Sequence, residues 1–297
     1  MNLIIGLVVL LGCVLGGFVI HGGKLLAIWQ PSELLIIGGA ALGAFVISNP
    51  IRVVKQAGAG IPKLLKGPKY TKAHYLALFA LMYELFNLAR REGVMGLERE
   101  IDEPSKSPVF TKHPLIANDH HVMEFIRDYL RLMVTGDMNP FQIENLMDVE
   151  LGTHHHEAEA PCTAISKVAD ALPGFGIVAA VLGIVNTMGA LGGPVGEIGE
   201  KVAAALVGTL MGILLAYGFV GPIATAMEGR AKDEGAFYVT IKTCIIAMLQ
   251  GYAPQIAVEF GRKATSSAMR PTFEELDAQL RNRPAVVAAV ATIAAAA

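Results

Sequence analysis

Four stretches of this chain, at 3–20, 34–48, 172–191 and 202–227, are almost wholly apolar, and they restrict its possible folds more than any other feature. A hydrocarbon core of about 30 Å is crossed by about 20 apolar residues in a helix. The second stretch is short but can extend to 54, and the fourth is long enough to tilt or to project beyond a bilayer. The stretches pair into two tight hairpins, with a long polar segment between them and a tail after. The expectation is an all-α membrane protein with four transmembrane helices. A first transmembrane hairpin covers 1–50, a helical cytoplasmic domain 51–170, a second hairpin 171–227, and cytoplasmic C-terminal helices with a tail 228–297. Composition agrees: 17% of the 297 residues are charged, where soluble domains carry about 25%. The first stretch opens the chain but lacks a basic n-region and an A-x-A cleavage site, so it reads as a retained span.

Lysine and arginine fix the orientation. Each hairpin loop holds one, Lys24 and Lys201, while the central segment holds fourteen and the tail eight. Arg52, Lys55, Lys63, Lys66 and Lys69 follow the second stretch closely, and Arg230 and Lys232 follow the fourth. The positive-inside rule then places the central segment, the tail and both termini in the cytoplasm. Trp29 sits beside the second stretch on the outer side, where an interfacial aromatic belongs. The segment 51–72, basic and partly apolar, fits packing against anionic membrane lipid, or ordinary positive-inside flanking.

The cytoplasmic segments read as helices. Tyr75, Phe79, Met82, Phe86 and Ala89 share one face of a helix that ends near Gly93, and Val122, Ile126, Tyr129 and Met133 repeat the pattern. Asn139-Pro140 looks like a cap and first-turn proline of a helix running towards the third stretch. Phe237, Ile241, Cys244 and Met248 carry the fourth stretch on as a helix, and Thr272 to Glu275 fits a capping box. The apolar end of the chain, from 283 to 297, is too short for a span.

Several chemistries are absent. There is no Walker loop, GxGxxG or nucleophile triad, so the chain reads as no enzyme and implies no cofactor. The net charge of −2 by itself says nothing about nucleic acid, but no basic domain is present, so no nucleic-acid partner is expected. Cys13, Cys162 and Cys244 show no metal spacing and read as free thiols. His154, His155 and His156 point about 100° apart on a helix and cannot all face one ion, so they read as a solvated run. The glycine pairs Gly12/Gly16, Gly39/Gly43 and Gly208/Gly212 let helices approach closely, or reflect the general glycine content of membrane helices. Pro173 fits a first helical turn, whereas Pro222 lies inside a helix and should kink it. Arg90, Arg91, Glu98, Arg99 and Glu100 read as a solvated face with local ion pairs. Arg91 and Glu98 fall on one face if the helix is unbroken.

The four stretches as bounded above contain no Asp, Glu, Lys, Arg or His. Proton paths in membranes use such groups. The chain is therefore expected either to conduct nothing or to take its carboxylate from another chain, with Asn186, Thr187 and Thr209 as small polar helpers.

At this point the chain resembles a known family. The segments "QPSELLIIGGAALGAF", "LARREGVMGLEREI", "ALPGFGIVAAVLGIVNTMG" and "LVGTLMGILLAYGFVGPIAT", in this order and spacing, are similar to those of flagellar stator membrane subunits in the MotA/TolQ/ExbB proton channel family. The resemblance implies a homo-pentamer around two copies of a partner, MotB, whose single span carries the proton-accepting aspartate. It implies torque on the rotor protein FliG, with Arg90 and Glu98 as rotor contacts, and Pro173 and Pro222 as coupling prolines. Thr209 matches a pore-facing threonine, and Glu150 an acid linked to proton entry. Sodium-driven relatives carry a threonine where this chain has Ala180; a methyl group offers a hard cation no oxygen, so a proton is expected. A TolQ/ExbB-type energiser is the related alternative, but its usual layout has one span before the cytoplasmic domain, not two. A passive membrane scaffold is the third reading.

Overall fold

The computed structural model describes residues 2–189 and 191–281, and every regular element among them is a helix. The apolar end at 283–297 lies outside the described residues. The chain forms two compact units. One takes the segment up to Gly67 and then His156–Ala231; the other takes Pro68–His155 and the segment from Lys232.

The chain opens with α1, Asn2–Ile20, then one turn, α2, Leu25–Ile28, then α3, Pro31–Ser48. Pro31 starts α3 because its missing N–H is not needed in a first turn. Pro50 ends it. Asn49 before it is extended, with φ −130° and ψ 142°, as a following proline requires. Its side-chain amide instead donates to the Phe45 carbonyl at 2.8 Å. The chain restarts as α4, Ile51–Lys63. The second stretch therefore does not extend as one helix to 54. At its other end it begins earlier than expected, and Glu33 falls inside α3.

Next comes α5, Lys72–Glu92, whose predicted face is buried from Tyr75 to Ala89. It stops at Gly93, where φ is +75° and a side chain would be strained. A 3-10 turn, Val94–Leu97, leads into α6, Glu98–Asp102. This break puts Arg91 and Glu98 on separate helices. The short α7, Pro108–Thr111, and α8, Pro114–Ala117, precede α9, His120–Thr135, where Val122, Ile126, Tyr129 and Met133 are all buried.

α10 runs from Pro140 to Met188 without interruption. Its start is a reciprocal cap: the Gln142 amide N–H donates to Asn139 Oδ1, and the Asn139 N–H donates to Gln142 Oε1, both at 2.9 Å. Pro173 thus lies deep inside a helix, not in a first turn, and Pro161 does too. After the loop come α11, Val195–Ile213, a π-helical stretch, Leu214–Val220, and α12, Gly221–Leu249, as one helical run. Then follow α13, Pro254–Ala264, and α14, Phe273–Arg281. The capping box before α14 is formed: Thr272 N–H donates to Glu275 Oε2 at 2.6 Å, and Glu275 N–H donates to Thr272 Oγ1 at 3.2 Å.

Among the described residues four helices are long and apolar enough to cross a membrane, which makes this a multi-pass membrane protein. The second unit has a conventional helical core. Phe79, Leu81, Met82, Leu85, Phe86, Ile126 and Phe237 are fully buried, and Phe237 stacks on Tyr70 with ring centroids 4.0 Å apart.

Candidate functional site

In the first unit the apolar end of α10 meets α11 along a seam of small residues. A Cβ on Gly176 would lie 3.0 Å from the Gly208 carbonyl oxygen, and one on Gly183 would lie 2.8 Å from the Ala205 Cβ. Of the three glycine pairs, Gly208/Gly212 is used for this packing. Gly12, Gly16, Gly39 and Gly43 have nothing within 4 Å of an added Cβ. Among the described residues their faces are open.

α3 packs beside this seam, and it brings Glu33 into the bundle. The residue is 6% exposed, and among the described residues its buried Oε2 has no hydrogen-bond partner. A Cβ on Gly208 would stand 2.9 Å from that oxygen, 3.2 Å from the Ala179 Cβ and 3.4 Å from the Ala180 amide nitrogen. The expectation of a membrane bundle free of acidic groups is thus corrected. Glu33 sits one residue before the apolar window, and Pro31 pulls it into the helix. An acid in the first turn after a proline is a usual helix start, and that signal was available in "QPSEL".

Ala180 and Thr209 lie on facing segments of the same seam, since Gly208 adjoins the Ala180 backbone. Thr187, Thr225, Thr240 and Thr243 each donate to the carbonyl four residues back. Thr209 has no such bond among the described residues, and its half-buried hydroxyl keeps its hydrogen-bonding capacity. Pro173 follows Leu172, whose carbonyl oxygen lies against Gly212. Pro222 is exposed directly after the π-helical stretch. There the Gly221 N–H reaches the Ala216 carbonyl, five residues back. The wider register falls where a residue without an N–H would break the usual ladder.

The charge group separates into distinct roles. Arg90 closes α5 and Glu98 opens α6, on either side of the Val94–Leu97 turn. Leu97 is fully buried and anchors the turn, whereas Val94 and Met95 are exposed. Arg90 and Glu98 are both exposed, and among the described residues neither joins a salt bridge or side-chain hydrogen bond. Local pairing therefore does not account for them. Glu100 differs: it is buried and accepts a hydrogen bond from the Ser107 hydroxyl, while Ser107 Oγ in turn caps α7 by accepting from the Val109 and Phe110 amides. Glu100 ties α6 to the start of α7; Arg90 and Glu98 stay exposed on either side of the turn.

Glu150 belongs to the second unit, and Pro173, Ala180, Thr209 and Pro222 to the first. The buried Tyr129 hydroxyl donates to Glu150 Oε2 at 2.6 Å. Burial and then the Glu150 carboxylate push the Tyr129 phenol above its ordinary range. Glu150 lines a cavity of about 210 Å³ with Phe125, Asp128, His154 and Tyr238. His154, His155 and His156 are exposed on α10. Among the described residues, His120, His121 and Glu124 have ligand atoms within 4.8 Å of one another, all exposed; exposed groups of this kind are common without a metal.

Comparison with known proteins fits this arrangement. Residues 4–93 match the "Motility protein A N-terminal" family model, and residues 117–238 match the MotA/TolQ/ExbB proton channel family. The chain belongs to the MotA/TolQ/ExbB proton channel family; it is a channel-family protein, not an enzyme. Within it, the relatives are motility proteins. Motility protein A of Salmonella typhimurium is 45% identical over 281 residues, 95% of each chain, and that of Escherichia coli gives the same figures. Chemotaxis protein LafT of Vibrio parahaemolyticus is 39% identical over 93% of this chain and 97% of its own. The fold is that of the solved C. jejuni MotAB structure, with a TM-score of 0.73 at 20% identity, covering 90% of this chain and 96% of that one. The flagellar MotAB stator complex from Bacillus subtilis gives a TM-score of 0.69 at 24% identity, over 86% and 92%.

Proposed function

We propose that this chain is the membrane subunit of a flagellar stator, which with a MotB-type partner conducts protons and turns their flow into torque on the rotor protein FliG. One observation carries the torque half of this reading. Among the described residues Arg90 and Glu98 stand exposed and unpaired on either side of a turn anchored by the buried Leu97. Charges held in place but left without partners suit electrostatic contact with a complementary charged surface. Family membership and 45% identity to motility protein A support the channel half.

Five copies surround two partner chains, and the open faces at Gly12, Gly16, Gly39 and Gly43 are available for contacts between copies. The chain lies in the bacterial inner membrane with both termini in the cytoplasm, on the strength of its lysine and arginine distribution. Pro173 and Pro222, both set within long helical runs, couple ion passage to helix movement, and Glu150 serves proton entry. Thr209 faces the path with an uncommitted hydroxyl. The methyl group of Ala180 argues for protons over sodium.

The test is swimming under varied sodium and under a protonophore. Swimming that ignores sodium and stops with the protonophore supports the reading; sodium-dependent swimming sinks the ion assignment. Proton flux through the complex with its channel unplugged separates the stator from a passive scaffold, which would carry none.

A further inference from the structure

We propose that Glu33 is a proton-binding site within the membrane bundle, a carboxyl group that this chain itself contributes to the ion path. The proposal rests on the reading that protons pass through the complex. It adds a second titratable station to the one brought by the partner.

The argument begins with cost. A carboxylate taken out of water without a partner is expensive, and buried polar atoms in folded proteins are nearly always hydrogen-bonded. Glu33 breaks that pattern: it is 6% exposed, and its Oε2 has no partner among the described residues. Along α3 it lies in the first turn, at the level of Gly208 in α11. A Cβ on Gly208 would meet this oxygen, and the same point lies within 3.4 Å of the Ala179 methyl and the Ala180 amide nitrogen, while α11 begins back at Val195 and α10 continues on to Met188. An ionisable group held this way inside a membrane bundle marks a path more often than it serves packing.

The surroundings also choose the ligand. A hard metal cation needs several oxygen ligands. Beside Gly208, where the oxygen lies, the other close atoms are the Ala179 methyl and the Ala180 amide nitrogen. Among the described residues Glu33 joins no cluster of metal-ligating side chains, so a proton is what the site can take. Gly208 makes the space, since a side chain there would meet Oε2. The exchange is simple: the carboxylate takes a proton from hydronium, leaving water, and returns it to the next base along the path. Because α3 starts on the outer side in the proposed orientation, Glu33 meets protons arriving from outside.

The experiment measures proton flux through the unplugged complex with wild type, Glu33→Gln, Glu33→Ala and Glu33→Asp at matched protein levels. Glu33→Gln and Glu33→Ala should each lose at least about tenfold in flux, the scale of a lost proton-transfer group, and Glu33→Asp should keep part of it. A merely structural role predicts instead that glutamine, similar in shape, restores what alanine loses. Glu33→Gln flux within about twofold of wild type overturns the proposal. A wild-type complex that conducts nothing overturns the functional reading itself, which is a separate outcome. A second measurement needs no variant: an apolar carbodiimide, which adds to protonated buried carboxyls, should modify Glu33 in the wild-type complex. Mass spectrometry showing other carboxyls modified and Glu33 untouched also overturns it.

Discussion

Gly212 and Gly176 meet backbone to backbone, so closely that a Cβ on Gly212 would stand 2.8 Å from the Gly176 Cα and 2.8 Å from the Leu172 carbonyl oxygen. Neither of those atoms can swing aside as a side chain would. Gly212→Ala should therefore force the α10 and α11 segments apart at a cost of about 1–3 kcal/mol, the range for overpacking a tight contact. Lower protein level and a lower melting temperature in detergent are the expected results. Gly39→Ala, with nothing within 4 Å, should leave the melting temperature of the single chain unchanged. If Gly212→Ala melts like wild type, the close approach is not holding the hairpin.

The Arg90 and Glu98 prediction follows from their lack of partners. Exposed substitutions away from special features usually change stability by less than about 0.5 kcal/mol. Arg90→Glu and Glu98→Lys should accumulate and melt normally yet shrink the swimming radius, because only the charge presented to another surface has changed. Normal swimming by both variants at normal protein level would count against rotor contact. Glu100→Gln should behave in the opposite way. It weakens the bond from Ser107, and its first effect should be on stability.

These two cases also show what the sequence could and could not reveal. Apolar runs announce four spans because membrane burial acts on every residue of a segment. Gly93 and Pro50 announce breaks because their backbone restrictions are local. Glu33 escaped because an average over an apolar window drops the polar residue at its edge, although Pro31 fixed where the helix starts. Which of Glu98, Arg99 and Glu100 points inward depends on the anchoring of Leu97 and Ile101, both buried. Nothing in an alternating run of charges marks that choice. The π-helical stretch at Leu214–Val220 shifts the register without altering the hydrophobic pattern, so periodicity does not see it. The bound of its apolar stretch puts Pro173 in a first turn, whereas the helix runs on from Pro140 and carries Pro173 in its interior.

The Tyr129–Glu150 pair separates structure from ion entry. Tyr129→Phe removes the hydroxyl that donates to Glu150 at 2.6 Å. A hydrogen bond to a charged acceptor contributes about 1.5–3 kcal/mol, and the exposure of Glu150 puts this one at the low end. The melting temperature of Tyr129→Phe should fall accordingly. If the orientation of Glu150 serves proton entry, swimming speed should also fall, and Glu150→Gln should lower it further. Unchanged speed in both variants would leave the pair a purely structural link between α9 and α10.

Acid should weaken the second unit through Glu259. Arg262, buried in α13, donates to both of its oxygens, from Nε at 2.7 Å and from Nη2 at 2.6 Å, and sends Nη1 to the Pro271 carbonyl at 2.9 Å. The Arg262 hydrogen bonds hold the Glu259 carboxyl below its ordinary value of 4.5, outweighing burial. A carboxyl that is lower in the folded than in the unfolded state stabilises above its unfolded value. In the window beneath 4.5 the unfolded chain binds more protons, so stability rises with pH there and is lost as pH falls through the folded value. At neutral pH, Glu259→Gln leaves the Arg262 guanidinium without its carboxylate in a part-buried pair, at a cost of about 1.5–3 kcal/mol, the scale of a hydrogen bond to a charged group. Melting the full chain in detergent across a pH series should show a wide gap between wild type and Glu259→Gln at pH 7. That gap should close as both are taken below about pH 4, where ordinary carboxyls protonate. A gap that stays constant with pH would mean that packing of the side chain, not its charge, is what Arg262 requires.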